Sequence, residues 1–231
     1  MSDTLIAAQG LSAGYGKMPV IRDIDLHVDA GEVVALIGAN GVGKTTTLLT
    51  LAGELAPIEG EVRFLGKPTR APMHARCRNG LGYLTEERSV IMDMSVANNL
   101  KLAAVSPKVA FEYFPALERI MDRRAGLCSG GEQQMLSLAR ALGREPKVLL
   151  ADELSLGLAP IIVANLLKAV RDAAVERGIG VLLVEQHVRQ ALKVADRVYL
   201  MERGRIVLSG TSDEVVGQLD RIEAAYLTGG T

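Results

Sequence analysis

Cysteine, histidine and long apolar runs are all scarce in this 231-residue chain, and each shortage removes a class of function. The two cysteines, Cys77 and Cys128, lie far apart with no C-x-x-C spacing, which argues against a disulfide framework and suits a reducing compartment. The three histidines, His27, His74 and His187, form no ligand cluster, so no zinc site is expected. No apolar run reaches the roughly 18 residues that suggest a spanning helix. Met1-Ser2-Asp3-Thr4 has neither the basic nor the apolar region of a signal peptide, so a cytosolic chain is expected, held at any membrane by another protein. A formal net charge of −1 gives no reason to expect nucleic acid or an anionic membrane as a partner. What remains is globular: 48% hydrophobic and 23% charged residues, at a length that suits one large domain or a domain with a sizeable lobe.

The most specific feature is Gly38-Ala39-Asn40-Gly41-Val42-Gly43-Lys44-Thr45, a complete G-x-x-x-x-G-K-[ST] loop. Backbone N–H groups freed by its glycines converge on phosphate oxygens, and the following helix adds the positive end of its dipole. Lys44 supplies a point charge for the outer phosphates, and the Thr45 hydroxyl is placed to coordinate Mg²⁺. The flanks agree: Glu32-Val33-Val34-Ala35-Leu36-Ile37 reads as a buried strand, and Thr46-Thr47-Leu48-Leu49-Thr50-Leu51 begins a helix. Average residue usage alone would produce the loop pattern in about one such chain per hundred. The flanks lower that further and reject a plain glycine-rich turn. The ligand implied is a nucleoside triphosphate, cradled by residues 38–46.

Around this loop the pattern is that of mixed α/β structure. Val20 to Val28 alternates, with Ile24, Leu26 and Val28 facing one way and Asp23, Asp25 and His27 the other, as in a half-exposed antiparallel strand. Val62 and Phe64, between Gly60 and Gly66, read as another. Val148-Leu149-Leu150-Ala151 and Val181-Leu182-Leu183-Val184 are unbroken apolar runs of central parallel strands. A helix from Ile161 to Arg177 connects them, with Ile162, Leu166, Ala169, Val170 and Ala173 on one face and Gly178 at its end. Residues 87–145 have helical spacing and little strand pattern, and are expected to form a helical lobe inserted in the nucleotide-binding fold. Arg197 to Leu208 suits a hairpin turning at Arg203-Gly204, and Thr211-Ser212-Asp213-Glu214 is a capping box.

Two further segments carry chemistry. Lys147-Val148-Leu149-Leu150-Ala151-Asp152-Glu153 is an apolar strand ending in two carboxylates, which brings Asp152 to the carboxyl edge of the sheet, where it can hold Mg²⁺. Glu153 points differently and is placed to orient or deprotonate an attacking water. Two solvated carboxylates at a strand end are the bland alternative, which the phosphate loop in the same chain outweighs. Ser129-Gly130-Gly131-Glu132-Gln133-Gln134 opens a helix with a capping box, and Met135, Leu136, Ala139 and Leu142 form its apolar face. Glycines in a first turn cost about 1 kcal/mol each relative to alanine. They make sense if backbone N–H groups approach a ligand, at a second anion site.

In this order, the phosphate loop, the Ser-Gly-Gly-Glu-Gln segment and the Asp-Glu strand resemble the nucleotide-binding subunit of the ATP-binding cassette family, over essentially the whole chain. Gly131-Glu132-Gln133-Gln134-Met135-Leu136, Ser155-Leu156-Gly157-Leu158-Ala159-Pro160, Leu183-Val184-Glu185-Gln186 and the closing Ala225-Tyr226-Leu227-Thr228-Gly229-Gly230 are similar to the ATPase subunits of branched-chain amino acid importers. The resemblance implies one ATPase domain over residues 1–231. It would have a P-loop NTPase core with a mainly parallel sheet, an N-terminal antiparallel β subdomain and an inserted helical subdomain. It implies ATP and Mg²⁺, and a head-to-tail pair of cassettes in which one subunit's phosphate loop and the other's Ser129, Gly130, Gly131 and Glu132 grip each nucleotide. Tyr15 would stack on adenine, although Gly14-Tyr15-Gly16 also suits a plain turn. The implied partners are a second ATPase subunit, commonly a different chain, with a homodimer as the alternative. Membrane permease subunits and, through them, a solute-binding protein complete the set, on the inner face of the membrane.

Several positions depart from the family pattern. Glu86 stands where most cassettes carry a glutamine that senses Mg²⁺, and a carboxylate can serve there. Cys128 replaces leucine before Ser129 and is expected to pack. Leu154 replaces the proline that commonly follows the catalytic glutamate, which would loosen that turn. At the switch position the alignment gives Gln186, with His187 one residue later as the alternative; Gln186 can donate a neutral hydrogen bond but cannot carry a proton charge. The stretch between Leu100 and Phe111 is short for an amino acid importer, which leaves the cargo open. Rival readings are an exporter cassette, a soluble cassette working on DNA or ribosomes, and a metabolite phosphotransferase. One cassette without long heptads or basic arms disfavours the second, and the Ser129-Gly130-Gly131 segment disfavours the third.

Overall fold

The alternation over Val20–Val28 becomes an antiparallel pair of long strands, β1 (Thr4–Tyr15) and β2 (Met18–Asp29), with Ile24, Leu26 and Val28 buried and Asp23 and Asp25 exposed. The computed structural model describes residues 3–217, so the closing Ala225–Gly230 stretch lies outside the described residues. The buried β3 (Val33–Ile37) leads through the phosphate loop into α1 (Lys44–Ala52). β4 (Glu59–Phe64) pairs antiparallel with β1, and the short β5 (Lys67–Pro68) completes a four-stranded sheet in the order β2-β1-β4-β5. Val62 and Phe64 point into its core.

After α2 (Met73–Arg78) and β6 (Leu81–Leu84) the chain turns helical. α3 (Val96–Leu102), α4 (Pro107–Tyr113), 3₁₀ turns at Pro115–Ile120 and Ala125–Leu127, and α5 (Gly130–Leu142) follow without a strand. Then come β7 (Val148–Asp152), α6 (Pro160–Arg177), β8 (Gly180–Glu185), the single turn α7 (Val188–Ala191), β9 (Arg197–Glu202), β10 (Arg205–Thr211) and α8 (Ser212–Val216). The second sheet has the order β10-β9-β3-β8-β7-β6 and is parallel except for β10. β9 and β10 join at Arg203-Gly204, both with positive φ, the turn whose twist matches a hairpin.

Period-two alternation in the central strands divides the core in two. Val33, Ala35, Ile37, Leu149, Ala151, Val181 and Leu183 face α5, α6 and the helical segment. Val34, Leu36, Val148, Leu150, Leu182 and Val184 face α1 and the antiparallel sheet. Each strand therefore needs apolar side chains on both faces, and its polar residues are left at its carboxyl end. That end is where Asp152, Glu153, Glu185 and the phosphate loop meet. No helix among the described residues is long and apolar enough to cross a membrane.

Candidate nucleotide site

The phosphate loop is shaped by what cannot fit beside it. Gly43 has φ 111, and a Cβ there would lie 2.5 Å from the Ile21 side chain. A Cβ on Gly38 would lie 2.6 Å from the Met201 carbonyl oxygen, so the backbone at both ends of the loop is packed against neighbouring strands. Lys44, the first residue of α1, is buried, and its Nζ donates to the carbonyls of Gly38 (2.8 Å) and Ala39 (3.1 Å). It also lies 3.6 Å from Glu153 Oε1. Burial pulls the Lys44 ammonium below its ordinary value, opposed by Glu153 and Asp152.

Thr45 and Asp152, 107 residues apart in sequence, meet directly: Thr45 Oγ1 donates to Asp152 Oδ2 at 3.0 Å. The other carboxylate oxygen of Asp152 is buried with no hydrogen-bond partner. Burial pushes this carboxyl up to about 6 against the pull of the Thr45 hydrogen bond. A buried acceptor without a donor is costly unless a ligand completes it. A hard cation held by Thr45 Oγ1 and Asp152 fits this chemistry. An open cleft of about 290 Å³ in front of the loop is lined by Asn40, Gly41, Gly43, Lys44, Thr45, Thr46, Glu86, Glu153 and Leu156. Val42 stands behind it, accepting from Gly204 N–H at 2.9 Å.

Other predicted residues are not in this cleft. Tyr15 is 60% exposed at the end of β1. Gln186 is half-buried and His187 exposed, in the turn after β8. Ser129, Gly130, Gly131 and Glu132 do not line the cleft either. They form the start of α5, where the capping box is complete: Glu132 N–H donates to Ser129 Oγ (3.3 Å) and Ser129 N–H to Glu132 Oε2 (2.7 Å). Both glycines also lie close against neighbouring side chains. A Cβ on Gly130 would lie 2.8 Å from the Arg88 guanidinium, and one on Gly131 would lie 3.0 Å from Ile162. Cys128 packs as expected, 8% exposed.

Sequence reasoning passed over residues that shape the site. Arg88, two residues past Glu86, donates to Gln133 Oε1 at 3.2 Å and ties the Glu86 loop to the start of α5. Glu185, at the end of β8, is 1% exposed and binds Ser155. The only sequence signal for it was a carboxylate closing an apolar run, as Asp152 does. The turn after Glu153 is not loose despite Leu154: that side chain is buried, Glu153 N–H donates to the Val184 carbonyl (3.0 Å), and Ser155 is held by Glu185.

Burial pushes the Glu185 carboxyl up to about 7, opposed by its bonds from Ser155. A carboxyl raised in the folded state contributes stability that is full below its unfolded value and is lost as the pH rises through the folded one. Between pH 5 and 8 the nucleotide-free protein should therefore lose a few kcal/mol from Glu185 and Asp152 together. Glu185→Gln removes one of the two groups. Its melting temperature should exceed that of the wild type at pH 8, and the difference should shrink at pH 5. Equal differences at both pH values would show that Glu185 does not titrate in this range.

The residues 21–155 match the family model described as ABC transporter. The branched-chain amino acid transport ATP-binding protein BraG of Pseudomonas aeruginosa is 39% identical, over 97% of this chain and 100% of that protein. The lipopolysaccharide export ATP-binding protein LptB of Acidithiobacillus ferridurans is 37% identical, over 92% of each. A solved ATP-binding subunit of an ABC transporter superposes with a TM-score of 0.80 at 28% identity, covering 94% of this chain and 93% of that one. With the phosphate loop, the Asp152-Glu153 strand end and the capped Ser129 helix each formed, the chain belongs to the ABC transporter family, as one of its ATP-binding, ATP-hydrolysing subunits.

Proposed function

We propose that the chain is the ATPase subunit of an importer for branched-chain amino acids or a related small polar solute. The observation that carries this reading is the likeness to BraG, which spans the whole of that protein and nearly all of this chain. In it, this chain and a second ATPase subunit enclose two ATP molecules head to tail. A different chain as the second subunit is the arrangement we favour over a homodimer. Each triphosphate rests on residues 38–46 of one subunit, with adenine on Tyr15, and is gripped by Ser129, Gly130, Gly131 and Glu132 of the other. The separation of those four residues from their own chain's cleft supports this pairing.

Hydrolysis then follows from the groups around the cleft. Lys44 exchanges its contact with Glu153 for the outer phosphates. Glu153 takes a proton from the water whose oxygen attacks the γ-phosphorus, and the bond to the β–γ bridging oxygen breaks, leaving ADP and inorganic phosphate. Thr45, Asp152 and Glu86 would hold Mg²⁺, which would supply positive charge against the triphosphate. Gln186 donates a hydrogen bond to the γ-phosphate, with His187 as the alternative. Permease subunits hold the pair at the inner face of the membrane and receive the motion of closing and reopening, and the solute-binding protein acts through them.

Purified with its native membrane proteins, the tagged chain should carry a permease and a second ATPase, and the reconstituted complex should accumulate leucine in vesicles only with ATP. Absence of ATP-driven uptake of any branched-chain amino acid by the intact complex would refute the importer reading. The likeness to LptB supports a second reading, an exporter ATPase, for which the same vesicles would show ATP-driven release of a lipid-borne substrate instead.

A further inference from the structure

Glu185 is a carboxylate where the strand pattern would accept an apolar residue. It is 1% exposed, and among the described residues it makes no ion pair. Taking such a group out of water costs several kcal/mol, so its presence requires a use for its oxygens. Both are committed to one residue: Ser155 N–H donates to Oε1 at 3.2 Å, and Ser155 Oγ–H to Oε2 at 2.6 Å.

Ser155 lies two residues beyond Glu153, in the turn that presents Glu153 to the cleft. That turn is strained, because Glu153 has φ 47, a left-handed conformation unfavourable for a side chain of its size. Its N–H continues the β7–β8 ladder to the Val184 carbonyl at 3.0 Å, and beyond it Leu154 lacks the rigidity of a proline. Glu185 therefore closes the turn from the far side. Its own backbone leads directly into Gln186, so one side chain joins the Glu153 turn to the turn after β8. Ser155-Leu156 continues onward from the same clamp, and Leu156 lines the cleft.

We infer that Glu185 is a positioning residue for hydrolysis: by clamping Ser155 it fixes the Glu153 turn in its aimed conformation and couples that turn to Gln186. The inference rests on the proposed role of Glu153 as the base. ATP binding should change little, because both Glu185 hydrogen bonds go to Ser155 and Lys44 feels the Glu185 charge less than those of Glu153 and Asp152. A misplaced base lowers turnover without weakening the grip on the triphosphate, and displacements of about 1 Å can lower rate by up to about 100-fold.

The test is steady-state ATP hydrolysis by the intact assembly, with nucleotide-binding stoichiometry measured on the same preparations, so that rates are expressed per bound ATP. Glu185→Ala and Ser155→Ala should each lower kcat by about 10- to 100-fold, with KM changed less than about 3-fold. The double variant should be no slower than the slower single variant, because both remove the same clamp. Glu185→Gln retains an acceptor for Ser155 N–H and gains a donor for Ser155 Oγ, so it should recover turnover to within about 5-fold of wild type. Independent roles would make the two kcat defects multiply in the double variant, and a purely packing role would leave kcat per bound ATP unchanged in every variant. Either result overturns the inference. If Glu185→Ala does not fold, Ser155→Ala and Glu185→Gln still read the clamp. Glu153→Gln serves as the control: full turnover there refutes the base assignment itself, whereas loss there with normal turnover in the Glu185 and Ser155 variants refutes only the clamp.

Discussion

Replacing Glu153 with glutamine should lower ATP turnover by about 100- to 10,000-fold while leaving ATP binding intact. The substitution keeps the size of the side chain and removes only its charge and its capacity to take a proton. Nothing in the phosphate grip depends on that charge: Lys44 Nζ also donates to the Gly38 and Ala39 carbonyls, and the loop glycines are set by packing against Ile21 and Met201. Removing a negative charge that lies 3.6 Å from Lys44 should, if anything, strengthen the hold on a triphosphate. The variant should therefore bind ATP, close, and remain closed, visible as an ATP-dependent dimer by size-exclusion chromatography. Wild-type turnover by Glu153→Gln would remove this residue from the chemistry and leave the cleft without a base.

The second large effect pairs a cleft residue, Lys44, with one outside the cleft, Ser129. Lys44→Ala and Ser129→Arg are each expected to abolish turnover as uniform preparations, by different means. The first removes the phosphate cation. The second places a bulky side chain at the start of α5, at a capping cost of about 1 kcal/mol that the fold can tolerate. If the site is composite, a mixture of the two variants regains activity, because a mixed pair retains one intact phosphate loop facing one intact Ser129 segment. Random pairing makes half of the pairs mixed, so recovery should approach about a quarter of wild-type turnover. Self-pairing of the isolated chain is the condition, checked by sedimentation with ATP. Full activity of uniform Ser129→Arg, or a self-pairing mixture no better than its components, would refute the trans arrangement and with it the transport-motor account.

Much of this molecule could be read before folding, because the relevant interactions are local. The Gly38–Thr45 loop joins a buried strand to a helix through a few consecutive residues, and the capping boxes at Ser129 and Thr211 each satisfy backbone N–H groups within three positions. The apolar runs of β7 and β8 show burial on both faces, and the positive φ of Arg203 and Gly204 follows from the hairpin the sequence announced. Other features depend on strand order. Thr45 meets Asp152, and Glu185 meets Ser155, only because β3, β8 and β7 lie side by side and all end at one edge. No spacing along the chain encodes that adjacency. Arg88 against Gly130 likewise needed the Glu86 loop laid across α5. Hydrogen bonding between neighbours in sequence was thus written in the residues themselves, whereas the pairing of buried charges and hydroxyls was decided by sheet order, since desolvation and contact are set by what the tertiary fold brings within about 3 Å.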